Sequence, residues 1–211
     1  MEAHEIAEQI DETAEHHAHA AASPDWFRRL TAIYVGLAAM LLAIAALGGA
    51  DATKEMLNAN IHASDTYAFY QAKYMRQLQY QIAADQLEAA AAGAPGLSPE
   101  RGAHVSELVK RYRDTAARYE SEPAKAPGKI GTGKKELLAK AQEWEAERDH
   151  AAAQTPNFEY AEALLQIAIV LGSVAIVASS PTLLGVSGVL AIGGILLTLN
   201  GYLLVVPLGH G

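Results

Sequence analysis

The sequence predicts an all-α integral membrane protein with three transmembrane helices and a long helical hairpin or coiled-coil-like extramembrane domain between the first and second spans. Two observations carry this. Charged residues are segregated: Leu30 to Ala50 and everything from Ala163 onward contain no Asp, Glu, Lys or Arg, although 19% of the 211 residues are charged. A mean hydropathy of +0.06 hides that separation. Crossing a bilayer takes about 20 apolar residues, so the first run fits one helix and the C-terminal run fits two. The intervening sequence repeats its apolar residues every three or four positions, which is the period of an amphipathic helix.

In chain order, residues 1–27 form an acidic, histidine-containing leader. It holds Glu2, Glu5, Glu8, Asp11, Glu12, Glu15 and Asp25 with no Lys or Arg, so it is no signal peptide. Trp26, Phe27, Arg28 and Arg29 stand before the first span, 28–50, as an aromatic and basic pair typical of a membrane interface. The extramembrane domain covers 51–155, with linkers near 93–98 and 123–133. From Ala52 to Ala92 there is no Pro or Gly, and Tyr67, Tyr70, Tyr74 and Leu78 recur at helical spacing. Ser98 and Pro99 start a second helix by capping and by a preset φ, and Val105, Tyr112 and Tyr119 continue the seam along it. A third helix begins at Lys134. Pro156 precedes the second span, 156–179, and Ser179-Ser180-Pro181 turns the chain into the third, 182–206.

The two arginines at the first span place the N-terminus in the cytoplasm and the 51–155 loop in the periplasm. Fourteen of the 16 Lys and Arg lie in that loop, but the positive-inside bias acts through short loops and close flanks, not through a domain of this length. With 14 basic against 15 acidic residues the loop has no basic face for phosphates, so nucleic acid is not an expected partner. Without cysteine, disulfides and thiolate metal sites are excluded.

The segment SDTYAFYQAKYMRQ (64–77), following a span that ends in LGG and followed late in the chain by FEYAEALLQIAIVLGS, resembles the bacterial membrane family described as domain of unknown function 4337. Ser64, Asp65, Tyr67, Ala68, Phe69, Tyr70, Gln71, Ala72 and Lys73 carry the resemblance, with tyrosine at 67 where tryptophan is usual. It covers roughly Leu30 to Leu208 and implies the same order of elements and a bacterial inner-membrane location. It implies no activity.

Candidate chemistry is sparse. His16 and His19 share a helical face near Glu12 and Glu15 and are a weak candidate for a divalent metal, against a solvated acidic tail. Glu159, Glu162 and Gln166 form one stripe as the second span begins, and with Asn200 they are the intramembrane polar residues. Such residues suggest ion or proton handling, although the two glutamates also suit a helix N-terminus near interfacial water. Gly185, Gly188 and Gly194 are candidates for close helix packing in lipid, against the second span or a neighbouring protomer. GKIGTGKK (128–135) fails as a phosphate loop because Lys135 follows Lys134 where Ser or Thr is needed. The expectation is a non-enzymatic protein without a cofactor, associated with the lipid bilayer. Its extramembrane helices serve homo-oligomerisation or docking of a membrane-protein partner, and the alternative is a channel or transporter subunit.

Overall fold

The structure, a computed structural model, describes residues 25–94, 96–124 and 131–206. Its helices are α1 (Asp25–Ala92), α2 (Pro99–Glu120), α3 (Lys134–Ala178) and α4 (Pro181–Leu203), and no strand occurs among the described residues. Three of them, α1, α3 and α4, are long and apolar enough to cross a membrane. The leader, with His16 and His19, lies outside the described residues, as do 125–130 of the second linker.

Helices α1 and α3 each run without a break past the expected divisions at 50/51 and at Pro156. Helix α1 runs unbroken for 68 residues. Within it Thr53 donates its hydroxyl to the Gly49 carbonyl at 2.9 Å. Helix α3 contains Pro156 in its interior. An interior proline removes one backbone bond and crowds the preceding turn, at a cost of about 3 kcal/mol. Side chains next to it bond the carbonyls on either side of Ala152, the i−4 partner of Pro156: Thr155 Oγ1 donates to Ala151 O at 3.2 Å and Asn157 Nδ2 to Ala153 O at 3.1 Å.

The chain divides into two compact units: the residues up to Thr53 together with those from Ala151 onward, and Lys54–His150. The first unit packs through small side chains. Phe158, Ala161, Leu165, Ala168, Gly172 and Ala175 line one face of α3, and Ser187, Ala191, Gly194, Thr198 and Gly201 one face of α4, all buried at alternating steps of three and four. Helix α1 adds Thr31, Ala38, Ala45 and Ala52 at every seventh residue. Ala45, Ala161, Leu165, Ala168 and Ala191 form the centre, with Tyr34, Leu41 and Leu197 against it. Ile33, Leu37, Met40, Val170, Val174, Ile192 and Leu196 point outward. Large residues out and small residues in would be costly in water. In lipid it is the economical arrangement, because tails solvate aliphatic chains and association depends on close backbone approach.

In the second unit α1 is paired by α2 and then by the start of α3, both antiparallel to it. Contact positions rise along α1 as they fall along each partner. Gln77 meets Ala116 and Glu120 while Glu88 meets Arg113, and Tyr67 meets Glu145 while Tyr74 lies under Lys134. Ser98 caps α2, with Pro99 in the first turn, as the sequence predicts.

Candidate interaction surface

Most of the predicted seam is occupied within its own unit. Tyr67 is half-buried and donates its hydroxyl to Glu145 Oε2 at 3.0 Å. That bond holds its phenol above the usual 10.0. Tyr112 and Tyr119 sandwich Tyr80, with ring centroids at 5.6 and 5.8 Å, an arrangement worth about 0.5–1.5 kcal/mol per pair beyond burial. Tyr70 and Val105 are half-buried, whereas Tyr74 and Leu78 are exposed. The seven residues are thus divided between the packed face of the helices and the open one. Tyr80 and the buried Gln77 were not singled out by the sequence. Gln77 reads as a polar surface residue, and only the approach of α2 turns it inward.

Gln77 is the centre of a junction where α2 ends and α3 begins beside α1. Its Nε2 donates to Ala116 O at 3.2 Å and to Glu120 Oε2 at 3.0 Å, and Lys134 Nζ bonds the same Glu120 carboxylate at 2.9 Å. Glu136 accepts from Ser121 Oγ at 2.6 Å and from the Glu122 N–H at 3.2 Å, and Thr132 N–H closes on Glu122 O at 2.9 Å. The residues flanking 125–130 are therefore tied together, although glycine and proline content predicted a flexible linker. Gly131 and Gly133 are buried there. A groove of about 740 Å³ opens beside the junction, lined by Phe69, Lys73, Arg76, Leu137, Lys140 and Trp144 among others.

The junction carboxylates give the second unit an acid limit. The Lys134 and Gln77 bonds hold Glu120 below the ordinary 4.5, and the Ser121 bond does the same for Glu136. Folded values below unfolded ones mean that the folded chain binds fewer protons. The contribution is present above about 4.5 and lost as pH falls through the folded values. Thermal unfolding of the full chain in detergent, followed by circular dichroism, is expected to weaken below about pH 4.5. Glu136→Gln should flatten that dependence, and an unchanged slope would remove Glu136 from it.

Within the first unit the polar residues do not form one path. Glu159 and Gln166 face outward, and Glu162 is half-buried against Gly49, where a Cβ would lie 3.2 Å from its Oε1. Asn200 belongs to a separate set: its Nδ2 donates to Asn157 Oδ1 and to Val206 O, both at 2.6 Å. A third set, not anticipated, joins all three helical segments. Ser187 Oγ donates to Ala168 O at 2.6 Å, which leaves Tyr34 to donate its hydroxyl to Ser187 at 2.8 Å.

Of the three glycines singled out in α4, Gly194 packs within the chain. A Cβ on Gly194 would fall 2.7 Å from Leu165 Cγ, but at Gly185 and Gly188 it would meet nothing within 4 Å. Nine residues at 100° each put Gly194 on the side of α4 opposite Gly185, so the three cannot share one packing face. Other close approaches are Gly48 and Gly201, both against Phe158, and Gly172 against Val35. Among the described residues no group of three His, Asp or Glu is placed to hold a metal.

Four helices, three of them long and apolar enough to cross a membrane, and a small-residue interior define an all-α protein. A family model described as "Domain of unknown function (DUF4337)" matches residues 27–204. The chain belongs to that family. Neither the curated proteins nor the solved structures yield a match.

Proposed function

We propose that the protein is a non-enzymatic scaffold or docking subunit of the bacterial inner membrane. Its N-terminus is cytoplasmic and its 54–150 unit periplasmic, and that unit associates with another polypeptide, whether further copies of the chain or a membrane-protein partner. The observation that supports the reading is an open aliphatic surface outside the apolar spans. Leu57, Ile61, Met75, Leu78 and Ile82 on α1 are 37–55% exposed, in a segment interspersed with charge. Large apolar groups gathered on a water-facing surface mark interaction sites. Arg28 and Arg29 before the first span support the sidedness.

The mass of the full chain in lipid nanodiscs tests this directly. Association is expected to give more than one copy of the 22.4 kDa chain per particle, or a stoichiometric second protein. A single copy alone at every protein concentration would count against it. Solute or ion flux in proteoliposomes that disappears on Glu162→Gln would move the assignment to a channel or transporter subunit.

A further inference from the structure

We infer that the outward strip of α1 from Leu57 to Ile82 is the contact surface for a second copy of this chain, docked parallel and in register. This rests on the reading of the 54–150 unit as an association module and names its partner. The strip consists of Leu57, Ile61, Ser64, Ala68, Gln71, Met75, Leu78 and Ile82, all exposed, at steps alternating between four and three. That alternation over about four heptads is the spacing that lets one helix pack along another.

The strip is centred on the side of α1 away from the face it buries within its own unit, and only at Ser64, Ala68 and Gln71 does it border a groove shared with Glu145 and Arg148 of α3. Gln77 points toward α2. At 100° per residue, Met75 and Ile82 lie about 160° and 140° around the helix from it. Helix α1 is thus two-sided, and its own α2 and α3 satisfy only one side.

Three properties select a second copy as the occupant. First, self-pairing brings no like charges together. In a parallel pair the flanking contacts are Asn60 with Asp65, Tyr67 with Ala72, Tyr74 with Gln79, and Gln81 with Gln86 of the second copy. The single ionised side chain among these faces an amide that can donate to it. Second, Gln71 would meet its own counterpart between Ala68 and Met75, and a paired polar residue within a seam fixes register. Third, the strip lies on the helix that carries the first apolar span, so copies sharing one bilayer point the same way. Confinement to that bilayer also raises their effective concentration.

The absence of cysteine makes the test direct. Single substitutions Gln71→Cys and Leu78→Cys, in the full chain in membranes, are expected to give several-fold more disulfide-linked dimer on mild oxidation than Phe69→Cys and Arg76→Cys. Those two controls are also exposed but turned away from the strip. Met75→Glu is expected to lower the particle mass in nanodiscs while leaving helicity by circular dichroism unchanged, since its side chain is 54% exposed. Equal crosslinking at all four positions, or multimers that survive Met75→Glu, would overturn the inference. Multimers that crosslink only elsewhere would refute the strip yet leave the scaffold reading standing. A single-copy particle would remove both.

Discussion

Replacing Phe158 by alanine is expected to cost about 3 kcal/mol, the low end for a buried aromatic. Phe158 is the largest fully buried side chain, 1% exposed. Its ring fills a slot between helices: a Cβ on Gly48 would lie 2.6 Å from Cε1, and one on Gly201 at 2.8 Å. Tyr202 closes the slot edge-on, with ring centroids 4.9 Å apart. The loss should sit at the low end because part of the usual penalty is transfer from water, and lipid already solvates an aromatic ring. What remains is the cavity. Reversible unfolding of the full chain in mixed micelles measures it, and a loss below about 1 kcal/mol would mean that the slot collapses without cost. The pair Phe158→Ala and Gly201→Ala should be markedly non-additive, since shortening the ring makes room for the new methyl.

Gly194→Val is expected to destabilise by about 1–3 kcal/mol, the cost of overfilling a closely packed site, whereas Gly188→Val should be neutral within about 0.5 kcal/mol. At 194 the added carbon would fall 2.7 Å from Leu165 Cγ and 3.2 Å from the Ala161 carbonyl oxygen. A side chain can rotate away, but a backbone carbonyl yields only if α3 and α4 separate. At 188 the space is open. The same micelle unfolding measurement reads both variants. Equal effects would show that the buried face of α4 is not the one bearing Gly194.

The spans and the loop helices were legible because hydropathy and helical period are local properties of the chain. Ser98 and Pro99 announce the start of α2, and the charge-free runs announce the membrane segments. The passage of α3 through Pro156 was not legible. Proline is a strong local stop signal, and the burial of Ala151, Asn157 and Phe158 on either side of it exists only in the folded unit. Small residues likewise marked α4 as a packing helix, but their content alone did not tell which of Gly185, Gly188 and Gly194 meets α3. Burial there follows the phase set by Ser187, Ala191 and Thr198, which are small without being glycine. The tyrosine seam was visible as a pattern, but its division between packed and open faces depends on where α2 ends and α3 begins. Gln77 illustrates the limit: nothing local distinguishes it from Gln79 or Gln81, and it is buried only because α2 passes over it.

The placement of small residues inside the first unit and large ones outside reverses the usual map of mutational tolerance. In a water-soluble protein the exposed positions accept almost any residue and the bulky interior accepts few. Here Leu37, Met40 and Val174 should exchange freely among aliphatic residues yet reject charge, because their surroundings are fluid but apolar. The strictest positions should be inconspicuous alanines such as Ala45, Ala161 and Ala168, each fully buried. A methyl group is all that the space between helices admits there, so apart from the slot filled by Phe158 the least tolerant positions are those with the smallest side chains.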